Sequence, residues 1–176
     1  MNRLIQYMVA GALLINASNV LAVPDNLRIT GNLVEEPCII LPGDENIQME
    51  FFDTPEKNFY SYGKTQSKEF VIKLVECDTT LGKRVEVTFS GTPSLALPGF
   101  LALSAGSVAS GFAIGLQNAD KSPLNIEEKG AKITLQDGIN QLRFYAYLKG
   151  EPDAIANKSI KVGPYSAVAT FKLDYE

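Results

Sequence analysis

The 176-residue chain contains no histidine. That removes the commonest general base, the Ser–His and Cys–His nucleophile pairs, and the commonest metal ligand. Cysteine is scarce. Only Cys38 and Cys77 occur, without the CxxC spacing of a metal or redox site. A phosphate-cradling glycine loop is missing too, because Gly82-Lys83 would need an upstream glycine where Cys77 stands. Basic residues are outnumbered, 16 Lys and Arg against 20 Asp and Glu, for a net charge of −4. That balance argues against nucleic acid, whose binding needs a basic stripe. No block of like charge suggests an interaction tail. The acidic pairs Glu35-Glu36 and Glu127-Glu128 fall in loop-like or strand-end contexts. They read as solvated surface rather than as the paired acids of glycoside cleavage. Together these absences point away from catalysis, and away from a cofactor or a small-molecule substrate.

Long hydrophobic runs are also lacking. The apolar stretch Met8 to Ile15 is broken by Asn16, Ser18 and Asn19, far short of the roughly 20 residues that a membrane span needs. It follows Arg3 and leads to Val20-Leu21-Ala22, small enough at the relevant positions for signal peptidase. The pattern is that of a secretory signal peptide over residues 1–22, leaving a mature chain from Val23. Export changes how the cysteines read. In an oxidising compartment two cysteines in a small domain favour a Cys38–Cys77 disulfide over two buried thiols.

What is present is strand after strand. "KEFVIKLVEC" alternates at Phe70, Ile72 and Leu74; "RVEVTFSG" alternates at Val85, Val87 and Phe89. "SGFAIGLQN" is a short apolar run ending in turn residues, and "AKITLQDGINQLRFYAYLKG" reads as two strands hinged on Asp137-Gly138, a hairpin-type dipeptide. Val34 to Leu41 is a further strand candidate, leading through the first cysteine. Turn formers such as Pro42-Gly43-Asp44 and Leu97-Pro98-Gly99 punctuate the chain, and "GEPDAIANKS" has room for one helical turn. An all-β sandwich of one domain is the expectation.

Both ends carry a strand that does not fit. "DNLRITGNLV" places Leu27, Ile29, Gly31 and Leu33 on one side, ahead of the first strand of the domain. "VGPYSAVATFKLDYE" alternates through Tyr165, Ala167, Ala169, Phe171, Leu173 and Tyr175, yet no sequence follows to supply its next neighbour. An exposed hydrophobic edge is an aggregation hazard. It disappears if the leading strand of one copy fills the gap beside the trailing strand of another, a head-to-tail contact that does not close and so builds a fibre.

These pieces resemble the pilins of the chaperone–usher class, most closely an adaptor-type minor subunit of P pili, over essentially the whole mature chain. "ITGNLVEEPCII" is similar to the family's entry into the domain, "EFVIKLVEC" to its second-cysteine strand, and "LALPGFLAL" to a stretch found in minor pilins. Gly163, fourteenth from the C-terminus, and the penultimate Tyr175 match its C-terminal signature. The resemblance implies an incomplete immunoglobulin-like β-sandwich of six strands whose seventh is supplied in trans. It implies a donor-strand extension at 23–34 and a pilin domain at 35–176. A periplasmic chaperone would lend a strand beside Tyr165–Tyr175 and anchor the carboxylate of Glu176. An outer-membrane usher would then exchange that strand for the extension of an adjacent pilin subunit. Leu27, Ile29 and Leu33 would enter a neighbour's groove, with Gly31 where that groove is shallow. The implied location is the cell-surface fimbrium of a Gram-negative bacterium, reached through the periplasm. A different reading of the same residues is a self-contained secreted β-sandwich that binds a carbohydrate or protein ligand. It would have a complete sheet and be a stable monomer.

Overall fold

The structure is a computed structural model that describes residues 29–33, 35–52 and 54–176. The expected signal peptide and Leu27 lie outside the described residues. The chain divides into two units, 1–34 and 35–176. In the first, Ile29 to Leu33 adopts no regular secondary structure, and Ile29 and Leu33 are exposed.

The second unit is built from strands β1 (Lys68–Cys77), β2 (Arg84–Gly91), β3 (Phe112–Gln117), β4 (Pro123–Leu124), β5 (Ile133–Thr134), β6 (Gly138–Gly150) and β7 (Ala169–Tyr175). Two short helices accompany them, α1 (Lys57–Tyr62) and α2 (Pro152–Ala156). One antiparallel sheet has the order β1-β6-β3-β4 and the other β5-β2-β7. The alternation seen in the sequence sets which side of each strand is buried. In β1, Ile72 and Leu74 point inward while Lys73 is exposed; in β6, Leu142, Phe144, Ala146 and Leu148 point inward. Phe144 sits at the centre, its ring 5.7 Å from Phe70 and 5.2 Å from Phe89. Such stacked and edge-on geometries add to the gain from area burial.

Two expectations change. Asp137-Gly138 does not close a hairpin. β5 pairs with β2 in one sheet, whereas β6 pairs with β1 and β3 in the other, so the dipeptide carries the chain between sheets. The Asp137 carboxylate accepts bonds from the N–H and hydroxyl of Thr79 at 2.9 and 2.7 Å. Those bonds tie the crossing to the turn after β1, while Gln136 and Asn140 bond to each other across it. Val34 to Leu41 forms no continuous strand either. Its described part makes one bridge, Ile39 to Val75. Pro37 within it and Pro42 just after it lack the N–H that a longer ladder would use.

Cys38 and Cys77 are joined in a disulfide within the core. It closes a loop of 39 residues' separation, a stabilisation of roughly 4 kcal/mol on the chain-entropy account. Phe144→Ala removes the ring against which Phe70 and Phe89 pack. It should lower the free energy of unfolding by about 3–5 kcal/mol in a urea titration. A Cys38→Ser/Cys77→Ser pair should cost about 2–5 kcal/mol in the same measurement.

Candidate functional site

Two extended segments flank an open groove of about 710 Å³ in the second unit. The first wall runs from Asn46 to Phe52. Ile47, Met49 and Phe51 are half-buried against the core, and Gln48, Glu50 and Phe52 between them are exposed. That is strand periodicity without a strand partner. Among the described residues, the Asn46 N–H donates to Gly43 and the Glu50 carbonyl accepts from Lys68 Nζ, and the other backbone groups from 46 to 52 make no hydrogen bond.

The second wall runs from Gly163 into β7. Gly163 starts it with a φ of +148°, where an added Cβ would stand 2.7 Å from Val108 Cγ1, so the position needs glycine. Beyond it, the carbonyls of Pro164 and Ser166 accept bonds from Val108 at 2.9 Å and Ser104 at 2.8 Å. The Ser166 N–H donates to the Ser107 hydroxyl. In an extended chain, alternate residues turn their amides to opposite edges. Tyr165 and Ala167 accordingly make no backbone hydrogen bond among the described residues. From Ala169 onward β7 pairs with β2, Gly91 opposite Ala169 and Val85 opposite Tyr175, and β7 is the edge of its sheet. The floor between the walls is apolar, made by Phe70, Phe89, Leu101, Ile114, Leu116 and Ala146.

The terminal segment singled out from the sequence therefore divides in two. Gly163, Tyr165, Ala167, Ala169 and Phe171 line the groove. Leu173 and Tyr175 pack on the core beyond its lining. The Glu176 main-chain carbonyl accepts N–H bonds from Lys83 at 2.8 Å and Arg84 at 3.1 Å, while its side-chain carboxylate receives Lys132 Nζ at 2.7 Å. Cys38 and Cys77 take no part in the groove lining. The wall bearing Ile47, Met49 and Phe51 was not anticipated from sequence. Its signal was the alternation in "NIQMEFF" between two turn-forming stretches. Among the described residues, no group of three or more Asp, Glu, Cys or His is placed to hold a metal ion. No helix there is long and apolar enough to cross a membrane.

Lys132, hydrogen-bonded to Glu176, holds that carboxyl below the ordinary glutamate value. Asp174 is held low in the same sense by its bond to Lys172. Burial pushes the Tyr165 and Tyr175 phenols up. The Tyr165 hydroxyl is buried with no hydrogen-bond partner.

The apolar trough is flanked by two extended segments, and at 46–52, Tyr165 and Ala167 most backbone groups lack a hydrogen-bond partner among the described residues. The fold and groove thus define an immunoglobulin-like sandwich with an open strand position. A family model described as "Fimbrial protein" matches residues 27–176. The chain is 35% identical over 150 residues to the Fimbria A protein of Serratia marcescens, covering 85% of this chain and 83% of that protein. It is also 35% identical over 160 residues to the fimbrial adapter PapK of Escherichia coli, covering 88% and 89%. Among solved structures, a chain from a chaperone–usher pilus superposes with a TM-score of 0.67 at 26% identity, over 88% of this chain and 99% of that one. The chain belongs to the fimbrial protein family and is a pilin of the chaperone–usher class, a component of a cell-surface fimbrium. That is a family of structural subunits, not of enzymes.

A carboxyl held low in the fold contributes stability that is present above its unfolded pKa and is lost as pH falls through the folded value. The Glu176–Lys132 contact should therefore persist at neutral pH and release in acid. Lys132→Met should move the Glu176 titration upward in an NMR pH series, and an unchanged titration would show that the contact is not made in solution.

Proposed function

We propose that the chain polymerises by donor-strand exchange. The observation that carries the reading is the pairing of two hydrogen-bond-deficient walls, 46–52 and 163–169, over an apolar floor. A chaperone strand occupies the groove first, which keeps an otherwise sticky surface from aggregating. At the usher, residues 23–34 of the next subunit replace it. This subunit's own extension, with Leu27, Ile29, Gly31 and Leu33, fills the groove of another neighbour in the same way. Backbone bonds to both walls give affinity, and side chains on the floor give selectivity. The work is structural and requires no catalysis. The similarity to PapK supports an adaptor position in the fibre, and the equal identity to Fimbria A protein makes the rung the finer part of this proposal.

Gly31→Leu tests the donor role. It should reduce incorporation of the following linkage by about tenfold or more, a difference of roughly 1.4 kcal/mol in the exchange. The melting temperature of the 35–176 unit should stay unchanged. Fibres assembled at the normal rate by this variant would refute the donor assignment. Ala167→Phe tests the acceptor role, because a ring placed in the trough competes with the incoming strand. It should block complex formation with the chaperone while the sandwich remains folded by circular dichroism.

A further inference from the structure

A second concavity, of about 1030 Å³, adjoins the groove and shares Phe51 and Phe52 with it. Its chemistry is different. Lys64, Lys68 and Lys121 line it, and no carboxylate does so among the described residues, although acidic residues outnumber basic ones in the chain. The ion pairs of the described residues involve Lys129, Lys132, Arg143 and Lys172, and none of these three lysines. Each lies instead over an aromatic ring: Lys68 over Phe52 at 5.4 Å, Lys64 over Tyr147 at 5.3 Å, Lys121 over Tyr145 at 5.2 Å. A ring quadrupole positions an ammonium group without neutralising it, so the positive charge stays available to an anion.

Two further observations specify the anion. Phe52 and Tyr62 are 72% and 77% exposed, offering flat apolar faces at the rim. Thr54, Asn58 and Gln66 also line the concavity, and their side chains make no hydrogen bond among the described residues. Among the described residues, leucine, isoleucine, valine and methionine are missing from the lining, whereas a protein partner is usually met by an apolar centre. We infer that this concavity binds an acidic oligosaccharide bearing carboxylate or sulfate groups. The exposed rings cover the faces of the sugars, the amides and hydroxyl bond their hydroxyl groups, and the lysines pair with the acid groups. Single-stranded nucleic acid also uses lysines and stacked rings. The supply of neutral hydrogen-bonding groups at Thr54, Asn58 and Gln66 favours the sugar. This inference is independent of the strand-exchange reading.

The test uses the secreted chain as recovered from cells, with its groove occupied, and titrates it calorimetrically with a sulfated, uronate-containing hexasaccharide. A neutral hexasaccharide, polyglutamate and a single-stranded oligonucleotide serve as comparisons. Lys68 is left in place because it also bonds the groove wall at Glu50. The acidic hexasaccharide should bind and weaken as salt rises through the range where the screening length shortens. A Lys64→Gln/Lys121→Gln variant should lose about tenfold in affinity, two exposed charge pairs' worth. Tyr62→Ala should lose about fivefold with the salt dependence unchanged, as loss of a stacking face predicts. Both variants should still assemble into fimbriae, since neither touches the groove. No binding of the hexasaccharide, equal binding of polyglutamate or the oligonucleotide, or full affinity in Tyr62→Ala would each overturn the assignment.

Discussion

Every part of this structure answers to one constraint: backbone amides beside a dry apolar surface must find partners. β2 meets it with β7 along one edge, and on the other with β5 at Arg84 and Val85 and with loop donors at Val87 and Phe89. β7 meets it on one edge alone, and before it the carbonyls of Pro164 and Ser166 accept N–H bonds from Ser104, Val108 and Ala109. The 46–52 wall meets it hardly at all. Since the floor between the walls is made of core residues such as Phe89, Leu101 and Leu116, the groove is not a surface ornament. It is the place where the sandwich itself is left unfinished. On the strand-exchange proposal, the same deficiency that would expose an isolated subunit to aggregation is what lets it join a neighbour.

The rest of the domain holds that deficiency open. The disulfide and the Ile39–Val75 bridge anchor the chain at the start of the first wall. The Glu176 contacts with Lys83, Arg84 and Lys132 fasten the end of the second. Glu86 shows how closely the three-stranded sheet is knit. It is only 8% exposed on β2, yet charged, and Lys129 Nζ bonds it at 2.9 Å from the loop crossing that face. A buried carboxylate left without such a partner would be costly.

Much of this was legible in the sequence. The strands β1 and β2 could be read residue by residue, because their inward sets (Ile72 and Leu74; Val85, Val87 and Phe89) alternate with polar neighbours. The alternation from Tyr165 onward was equally plain. The Asp137-Gly138 crossing was misread because a hairpin dipeptide reports only local turn geometry, whereas the partners of β5 and β6 were decided by the two-sheet topology. The wall at Ile47, Met49 and Phe51 escaped notice because its pattern is short and makes no ladder. The bonds that close around Glu176 come from Lys83, Arg84 and Lys132, all distant in sequence.

By itself, then, the sequence determined the class of the protein. Missing histidine, two separated cysteines and a run of period-two segments exclude most chemistry and require a β-sandwich, because periodicity and composition act locally along the chain. It also marked Tyr165 to Tyr175 as an edge in need of a partner. Only the tertiary structure decided which of those residues line the groove, Gly163 to Phe171, and which instead lock the strand down, Leu173 to Glu176. It alone set the second wall opposite the first and gathered three lysines, each over an aromatic ring, around one concavity. Those outcomes depend on which distant backbones come within hydrogen-bonding reach, and that is a property of the packed sheets rather than of any segment alone.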